Sequence, residues 1–430
     1  MEVEVQIRRT EGASRRRLVA LGVLVSGLAL AAVGFSAAGG GAGLKKTTKN
    51  PWGATLPDGK YGEIYNPKAS IVNYALGGAA ALPTNPMQRN IALAAFTRAG
   101  KKVNESLALQ CWKKNICNTG TGGKIVVGEA DGFGGNVARQ LFKMEFILQA
   151  LTYPQVGKII YTDANLDTQK AISDVRSMIA QGVNLIVSYP DAANAMLPVY
   201  REATKRGIPV DLWSNANIGK PGVDYLNYSG TSICVLGQQF AAVMNKSLPN
   251  GGEIAFLGGT PGNTQSPAWQ KCERAALNKN IKVVATADTG WTRQGALEAM
   301  SGILSKYPDL KGVSYDYGDA FVGAIRAFEA ANKPLNIVAT IYSNDNPLLC
   351  EYKKVNNSNF KVWTFVALFF QGRTALTAGM MKLAGAPVPP EIIFNPHLVP
   401  VTAKSCRADL PANGSPTALI SASLQRRMYP

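Results

Sequence analysis

The sequence predicts an α/β fold of two lobes, each carried on a parallel sheet, and three observations carry that prediction. From Lys124 onward, short apolar runs alternate with amphipathic stretches, the pattern of strands covered by crossover helices. Residues 181–215 show one such unit in full, QGVNLIVSYPDAANAMLPVYREATKRGIPVDLWSN. Val183 to Val187 is short, β-branched and bounded by Gly182 and Pro190, whereas 192–206 places Ala193, Met196, Leu197 and Tyr200 at helical spacing. A second apolar run opened by Gly207-Ile208-Pro209 completes a strand, helix and strand, a right-handed parallel crossover. Finally, 430 residues exceed what one hydrophobic core usually serves, since domains commonly hold roughly 100–200 residues.

Taken in order, strands are expected at 124–129, 157–162, 183–189, 208–213 and 252–257, then at 281–287, 312–315, 337–342 and 362–366, with helices in most gaps. Between Trp213 and Ser232 the alternation breaks at NANIGKPGVDYLNYSGTS, which reads as the crossing between lobes, and a helix at 234–247 starts the next set of units. The expected organisation is a first lobe of 124–215 with about 367–390, a second lobe of 216–366, and a C-terminal segment of 391–430. Residues 39–123, rich in Gly, Pro, Asn and Lys, read as a partly irregular N-terminal extension with one helix at 86–101.

Residues 18–35 are uncharged and largely apolar, preceded by Arg15-Arg16-Arg17 and followed by small residues, the order of a secretory signal peptide over 1–38. The run Ser14-Arg15-Arg16-Arg17-Leu18-Val19 resembles a twin-arginine signal. An uncleaved anchor is the alternative, because 18 residues can just span a bilayer. The chain is therefore expected in the periplasm or outside the cell. Its six cysteines fit an oxidising compartment. Cys111 and Cys117 bracket the short loop WKKNI and are expected to pair; Cys234 with Cys272 and Cys350 with Cys406 are expected too, although spacing leaves those two pairings open.

With one histidine, His397, and no CxxC spacing, no metal site and no cofactor are expected. The net charge is +17, and the five arginines and three glutamates before residue 39 account for +2 of it, leaving +15. The lysines are scattered singly or in pairs, a solvated face near anionic lipid or wall polymer rather than a nucleic-acid groove.

Beyond these patterns, the segments KIVVGEADGFGGNVARQ, QGVNLIVSYPDA, RGIPVDLW, GEIAFLGGTPGNTQSPAWQKCERA, ADTGWTRQGALEAMSGILSKYPDLKGVSYDYGDAFVGAIRA and NIVATIYSNDN follow one another between about Lys124 and Val401. In order and spacing they resemble the sugar-binding type of periplasmic substrate-binding protein that serves ABC importers, relatives of ribose-binding protein. The resemblance implies two Rossmann-like lobes joined by a three-segment hinge, with a ligand in the interlobe cleft, closure by hinge motion and no enzymatic activity. It further implies a monomer that binds a small carbohydrate or polyol, delivers it to an ABC permease in a membrane complex, and binds no nucleic acid. An exported sensor domain that binds the same kind of ligand without transport is the alternative.

Ligands of open parallel sheets sit beyond the carboxyl ends of the strands. Tyr189, Asp191, Trp213 and Asn215 fall there by the strand assignments alone. The resemblance adds Phe133 and Asn136 after the first strand, and Trp269, Trp291, Tyr317, Asp319 and Asn344 or Asp345 in the second lobe. It also puts Trp269 where several relatives have an arginine and Val366 where a glutamine is common. The cleft is therefore expected to be more aromatic and less charged than a pentose site, with rings that stack on a sugar face or hold a cation. Each aromatic also has a plain reading as core packing, and Asp191 as a turn or helix-cap residue.

Gly132-Phe133-Gly134-Gly135 lacks the third glycine of a dinucleotide turn, Val137 standing there, and Gly258 to Gly262 lacks the lysine of a phosphate loop. Both are expected to let a ligand approach the backbone. Ser229 and Ser232 have no histidine at suitable spacing, which excludes a serine hydrolase.

Overall fold

The computed structural model describes residues 65–214 and 218–429; the expected signal segment, Asn215 and most of the Gly-rich run after residue 38 lie outside them. Two sheets organise the chain. The first has the strand order Ala80–Ala81, Glu391–Pro396, Asn227–Thr231, Val210–Trp213, Leu185–Tyr189, Ile125–Asp131, Val156–Asp163, Ile116–Asn118. The second has the order Val399–Pro400, Lys361–Thr364, Val338–Ile341, Gly312–Tyr315, Gly252–Gly258, Ile281–Asp288.

In each sheet five parallel strands follow the doubly wound order 2-1-3-4-5, which opens a crevice at the carboxyl ends. Both faces of these strands are covered by helices, so the strands read as continuous apolar runs. Val127, Leu185 and Val187 of the first sheet are wholly buried in one core with Met144, Leu376 and Met380. All nine expected strands form within a few residues of their expected ends. The expected helix after the third strand begins as a 3-10 turn, Ala193–Met196, and continues as Leu197–Lys205, because Pro198 has no N–H to give and suits a first helical turn.

Three expectations about lobe boundaries need correction. Asn227–Thr231, assigned above to the second lobe, pairs in parallel with Val210–Trp213, so the chain crosses only after Thr231. The run NYSGT has almost no apolar signature; it is a strand because its neighbours supply the partners, with the Asn227 side-chain amide donating to the Pro389 carbonyl at 2.7 Å. Glu391–Pro396, assigned to the C-terminal segment, lies beside it in the first sheet. The described part of the N-terminal extension, residues 65–123, is integral to the first lobe: Ile116–Asn118 pairs with Val156–Asp163, and the helix Pro86–Ala99, capped by Asn85 Oδ1 on the Met87 N–H at 3.0 Å, packs Phe96 edge-on against Phe370.

The lobes are joined after Thr231, through 365–370, and between Pro396 and Val399. The chain then crosses a fourth time. Cys406 is bonded to Cys350 in the second lobe, and the Arg407 backbone pairs with the Asn346 side chain at 2.9 and 3.0 Å. Further along, Thr417 donates to the Ala367 carbonyl at 3.0 Å and the Leu419 N–H to Glu145 of the first lobe. The disulfides Cys111–Cys117 and Cys234–Cys272 complete the expected pairing. Among the described residues, no helix is long and apolar enough to cross a membrane, and no group of three His, Cys, Asp or Glu side chains could hold a metal ion.

Candidate ligand-binding cleft

Between the carboxyl edges of the two sheets lies a cavity of about 60 Å³. The first lobe contributes the start of the helix Val137–Ala150. Asn136 caps that helix by accepting from the Arg139 N–H at 3.0 Å, and the first turns then aim Arg139 and Phe142 inward. Tyr189, at the end of its strand, adds a ring. From the second lobe come Gln265, Trp291, and the run Asp316 and Tyr317, with Tyr342 and Ser343 after the next strand; Leu368 and Phe369 of the hinge close the floor. Two lining residues, Ser214 and Trp291, hold left-handed backbone at φ 59° and 51°. Such conformations are costly for residues with a side chain and cluster at binding sites, where surrounding contacts hold them.

The two walls touch. The Tyr189 hydroxyl donates to Gln265 Oε1 at 3.3 Å, and the Ala138 N–H donates to the Tyr317 hydroxyl at 3.3 Å. The second bond satisfies one of the orphan donors at a helix start from the opposite lobe.

Charge in the cleft is sparse and unevenly matched. The buried Arg139 guanidinium is gripped by Asp131 and, at 2.8 and 3.0 Å, by both oxygens of Asp191, and it stacks 3.3 Å from the centre of the Tyr189 ring. Burial opposes the Arg139 charge, but the two carboxylates outweigh it and hold its pKa above the ordinary value. Burial likewise raises the Asp191 carboxyl to about 6, with Arg139 pulling the other way. On the far wall Asp316, 3% exposed, accepts from Ser266 Oγ at 2.6 Å, Trp269 Nε1 at 2.9 Å and Trp291 Nε1 at 2.8 Å. Burial raises its pKa, and those three bonds oppose the rise.

Of the expected site residues, Asn136, Tyr189, Trp291 and Tyr317 line the cavity. Asp191 does not line it, because Arg139 holds its carboxylate. Trp213 is wholly buried behind Phe142 and Tyr189, with ring centres 4.1 and 4.7 Å away, and Trp269 stands behind Asp316 as its hydrogen-bond donor. Asp319 is paired with Arg293, Asn344 accepts from the Ala367 N–H of the hinge at 2.8 Å, and Phe133 packs over its own glycine turn against Gly135. Each of these six serves the walls or the hinge instead of the cavity. Arg139, Phe142, Gln265, Asp316, Tyr342 and the hinge residues Leu368 and Phe369 escaped sequence reasoning. Arg139 and Phe142 sit one and two helical turns past a strand end, and the spacing of Asn136, Arg139 and Phe142 on one helix face was the available signal.

The glycine turns also have a different cause from the one expected. A Cβ on Gly259 would lie 2.0 Å from Trp291 Cε2, and one on Gly132 would lie 2.4 Å from Asp191 Oδ2. The backbone is bare there so that cleft side chains, rather than a ligand, can lie against it.

The comparisons with known proteins agree with this architecture. A family model described as periplasmic binding protein domain matches residues 134–385, more than half of the chain. The chain is 26% identical over 186 residues to the ribose import binding protein of Bacillus subtilis (strain 168), covering 42% of this chain and 58% of that protein. It is 29% identical over 187 residues to the xylitol-binding protein of Mycolicibacterium smegmatis, covering 42% and 53%. The chain thus spans little more than half the length of these curated relatives. In structure it resembles the fructose binding periplasmic domain of a hybrid two component system, with a TM-score of 0.58 at 24% identity, over 64% of this chain and 90% of that one. Two doubly wound lobes closed on a cavity at their carboxyl edges, together with the family match, make this chain a member of the periplasmic binding protein domain family.

Proposed function

We propose that this protein is an exported solute-binding protein without catalytic activity, which captures a small carbohydrate or polyol between its lobes and delivers it as a monomer to an ABC transporter permease. The observation that carries the reading is the lining: six aromatic rings and a few polar groups converge from both lobes and the hinge on one cavity. Aromatic rings stack on the apolar faces of sugars, and the polar groups fix their hydroxyls. A buried water needs roughly 10–15 Å³ on such a measure, so about 60 Å³ holds on the order of five waters and suits a short polyol or a monosaccharide rather than an oligosaccharide. The relatives named for ribose import and for xylitol binding point to the same ligand class. Export through the apolar segment at 18–35 belongs to the proposal.

Binding in such a fold is a population shift, in which ligand favours the closed form because only that form brings both walls to it. Calorimetry of the purified protein against ribose, xylitol, glycerol, myo-inositol and their relatives is expected to show micromolar or tighter binding to at least one. Absence of heat across the whole panel overturns the reading. A second reading, an exported sensor domain that signals without transport, is favoured by the likeness to the periplasmic domain of a two component system. The two are separated by pull-down: a permease complex captured by the loaded protein supports transport, and a histidine kinase captured instead supports sensing.

A further inference from the structure

Two features of the cleft are left over by a neutral sugar. The first is a carboxylate without a counter-charge. Among the cavity-lining residues only Arg139 and Asp316 are charged, and Arg139 is fully committed to Asp131 and Asp191. Asp316 has only neutral partners, with one indole N–H on each oxygen: Trp291 on Oδ1, and Trp269 together with Ser266 on Oδ2. An indole N–H donates and never accepts, so the two indoles favour the ionised carboxylate, against the burial that opposes it. A buried carboxylate without a cation is held at considerable cost, and the cost falls when a cation arrives. The same wall carries a second one: Asp345 accepts from the Ser343 hydroxyl and, at 3.0 Å, from the Asp319 N–H, while Arg293 nearby is taken by Asp319.

The second feature is the rings. Trp291, Tyr317, Tyr342, Tyr189, Phe142 and Phe369 all line a cavity of about 60 Å³. The faces of aromatic rings are electronegative, and rings gathered around a small desolvated space attract cations. Hydroxyls alone use the rings for stacking but leave the Asp316 charge uncompensated.

We propose that the ligand is a small polyol bearing an ammonium group, such as an amino sugar or an aminopolyol, whose cationic nitrogen sits among the cavity rings against Asp316. The inference rests on the solute-binding reading and narrows its ligand class. The ammonium group donates to Asp316 and to acceptors such as Gln265 Oε1, while the hydroxyls meet Asn136 and the tyrosine hydroxyls.

The test is calorimetry on the full chain at neutral pH with matched pairs: glucosamine against glucose, glucamine against sorbitol, and serinol against glycerol. In at least one pair the amine is expected to bind at least about tenfold more tightly than its hydroxyl counterpart, the scale of one desolvated charge contact. In Asp316→Asn that ratio is expected to collapse to within about threefold. Equal or tighter binding of the neutral member in every pair, or an unchanged ratio in Asp316→Asn, overturns the proposal. The wild-type ratio needs no variant and decides the question alone where Asp316→Asn fails to fold. Neutral sugars that bind while every amine fails overturn this inference and leave the solute-binding reading standing; silence from both members of every pair and from the wider panel overturns both.

Discussion

The Tyr317 hydroxyl of the second lobe accepts a hydrogen bond from the Ala138 N–H of the first at 3.3 Å, so a helix start in one lobe is completed by a side chain of the other. That bond exists only when the lobes are closed. In the open form the Ala138 N–H is solvated, as the first N–H groups of any helix are, so the bond favours closure by the net worth of one hydrogen bond, about 1 kcal/mol. Tyr317→Phe is therefore expected to weaken ligand affinity about fivefold, since affinity scales with the population of the competent form. Without ligand, the radius of gyration from small-angle scattering is expected to rise. Unchanged affinity and unchanged scattering would show that the bond does not govern closure.

Gly259 offers a test of the cavity wall that leaves every ligand contact chemically intact. A methyl group there would sit 2.0 Å from the Trp291 indole, which must then move away from Asp316. Gly259→Ala is expected to lower ligand affinity at least about tenfold, the consequence of losing one well-placed buried anchor. Near-ultraviolet circular dichroism should report the displaced indole, and wild-type affinity in this variant would sink the account of the turn.

The parallel sheets were legible in the sequence because their strands are buried on both faces and read as short, mostly apolar runs such as 185–187 and 254–257. NYSGT and the strand Glu391–Pro396 were not, because they extend the first sheet beyond those runs and depend on one another across about 160 residues, a long-range pairing that no local window contains. The cleft was half legible for a related reason. Strand-end positions predict which turns face the crevice, and Asn136, Tyr189, Trp291 and Tyr317 lie there. Strand ends do not predict which side chain claims which: Asp191 points to the right region, but Arg139 of the helix Val137–Ala150 holds its carboxylate. Trp213 at a strand end and Trp269 within the helix Gln265–Ala276 show the same limit, since large rings fill the space behind a wall as readily as the wall itself.

The chain crosses between the lobes four times, and the fourth crossing is anchored covalently. Cys350 and Cys406 close a loop of 56 residues, for which chain entropy gives about 4 kcal/mol of stabilisation. Beyond Cys406, Thr417 holds the Ala367 carbonyl of the hinge and Leu419 is held by Glu145 and Arg373 of the first lobe. Replacing both cysteines with alanine is expected to lower unfolding stability by about 2–4 kcal/mol. It is also expected to speed hydrogen exchange in 406–419 and in the hinge at 365–370, while exchange in the strands of the first sheet changes far less. Protection that falls uniformly over the whole chain would contradict a strap acting on the hinge.

Two buried carboxyls set a pH dependence whose sign can be worked out. Burial raises Asp191 and Asp345 from the ordinary 3.8 to about 6, with Arg139 opposing the rise at Asp191 and the Ser343 hydroxyl opposing it at Asp345. Each group therefore holds its proton more tightly in the folded chain than in the unfolded one. The stability that follows is complete below the unfolded value and is lost as the pH rises through about 6. Between pH 7.5 and pH 5 each contributes about 1.4 kcal/mol per pH unit once the pH is below 6, so these two carboxyls together are expected to add about 2–3 kcal/mol of unfolding stability over that interval, read as the difference between the parent and the Asp191→Asn, Asp345→Asn double variant. Asp224, whose pKa is lowered by its bond to Arg201, acts in the opposite sense, but only below the ordinary carboxylate range and so outside this window. Urea unfolding of both proteins at the two pH values measures the difference; a pH dependence that is the same in the double variant as in the parent would show that these carboxyls are not buried against their charge.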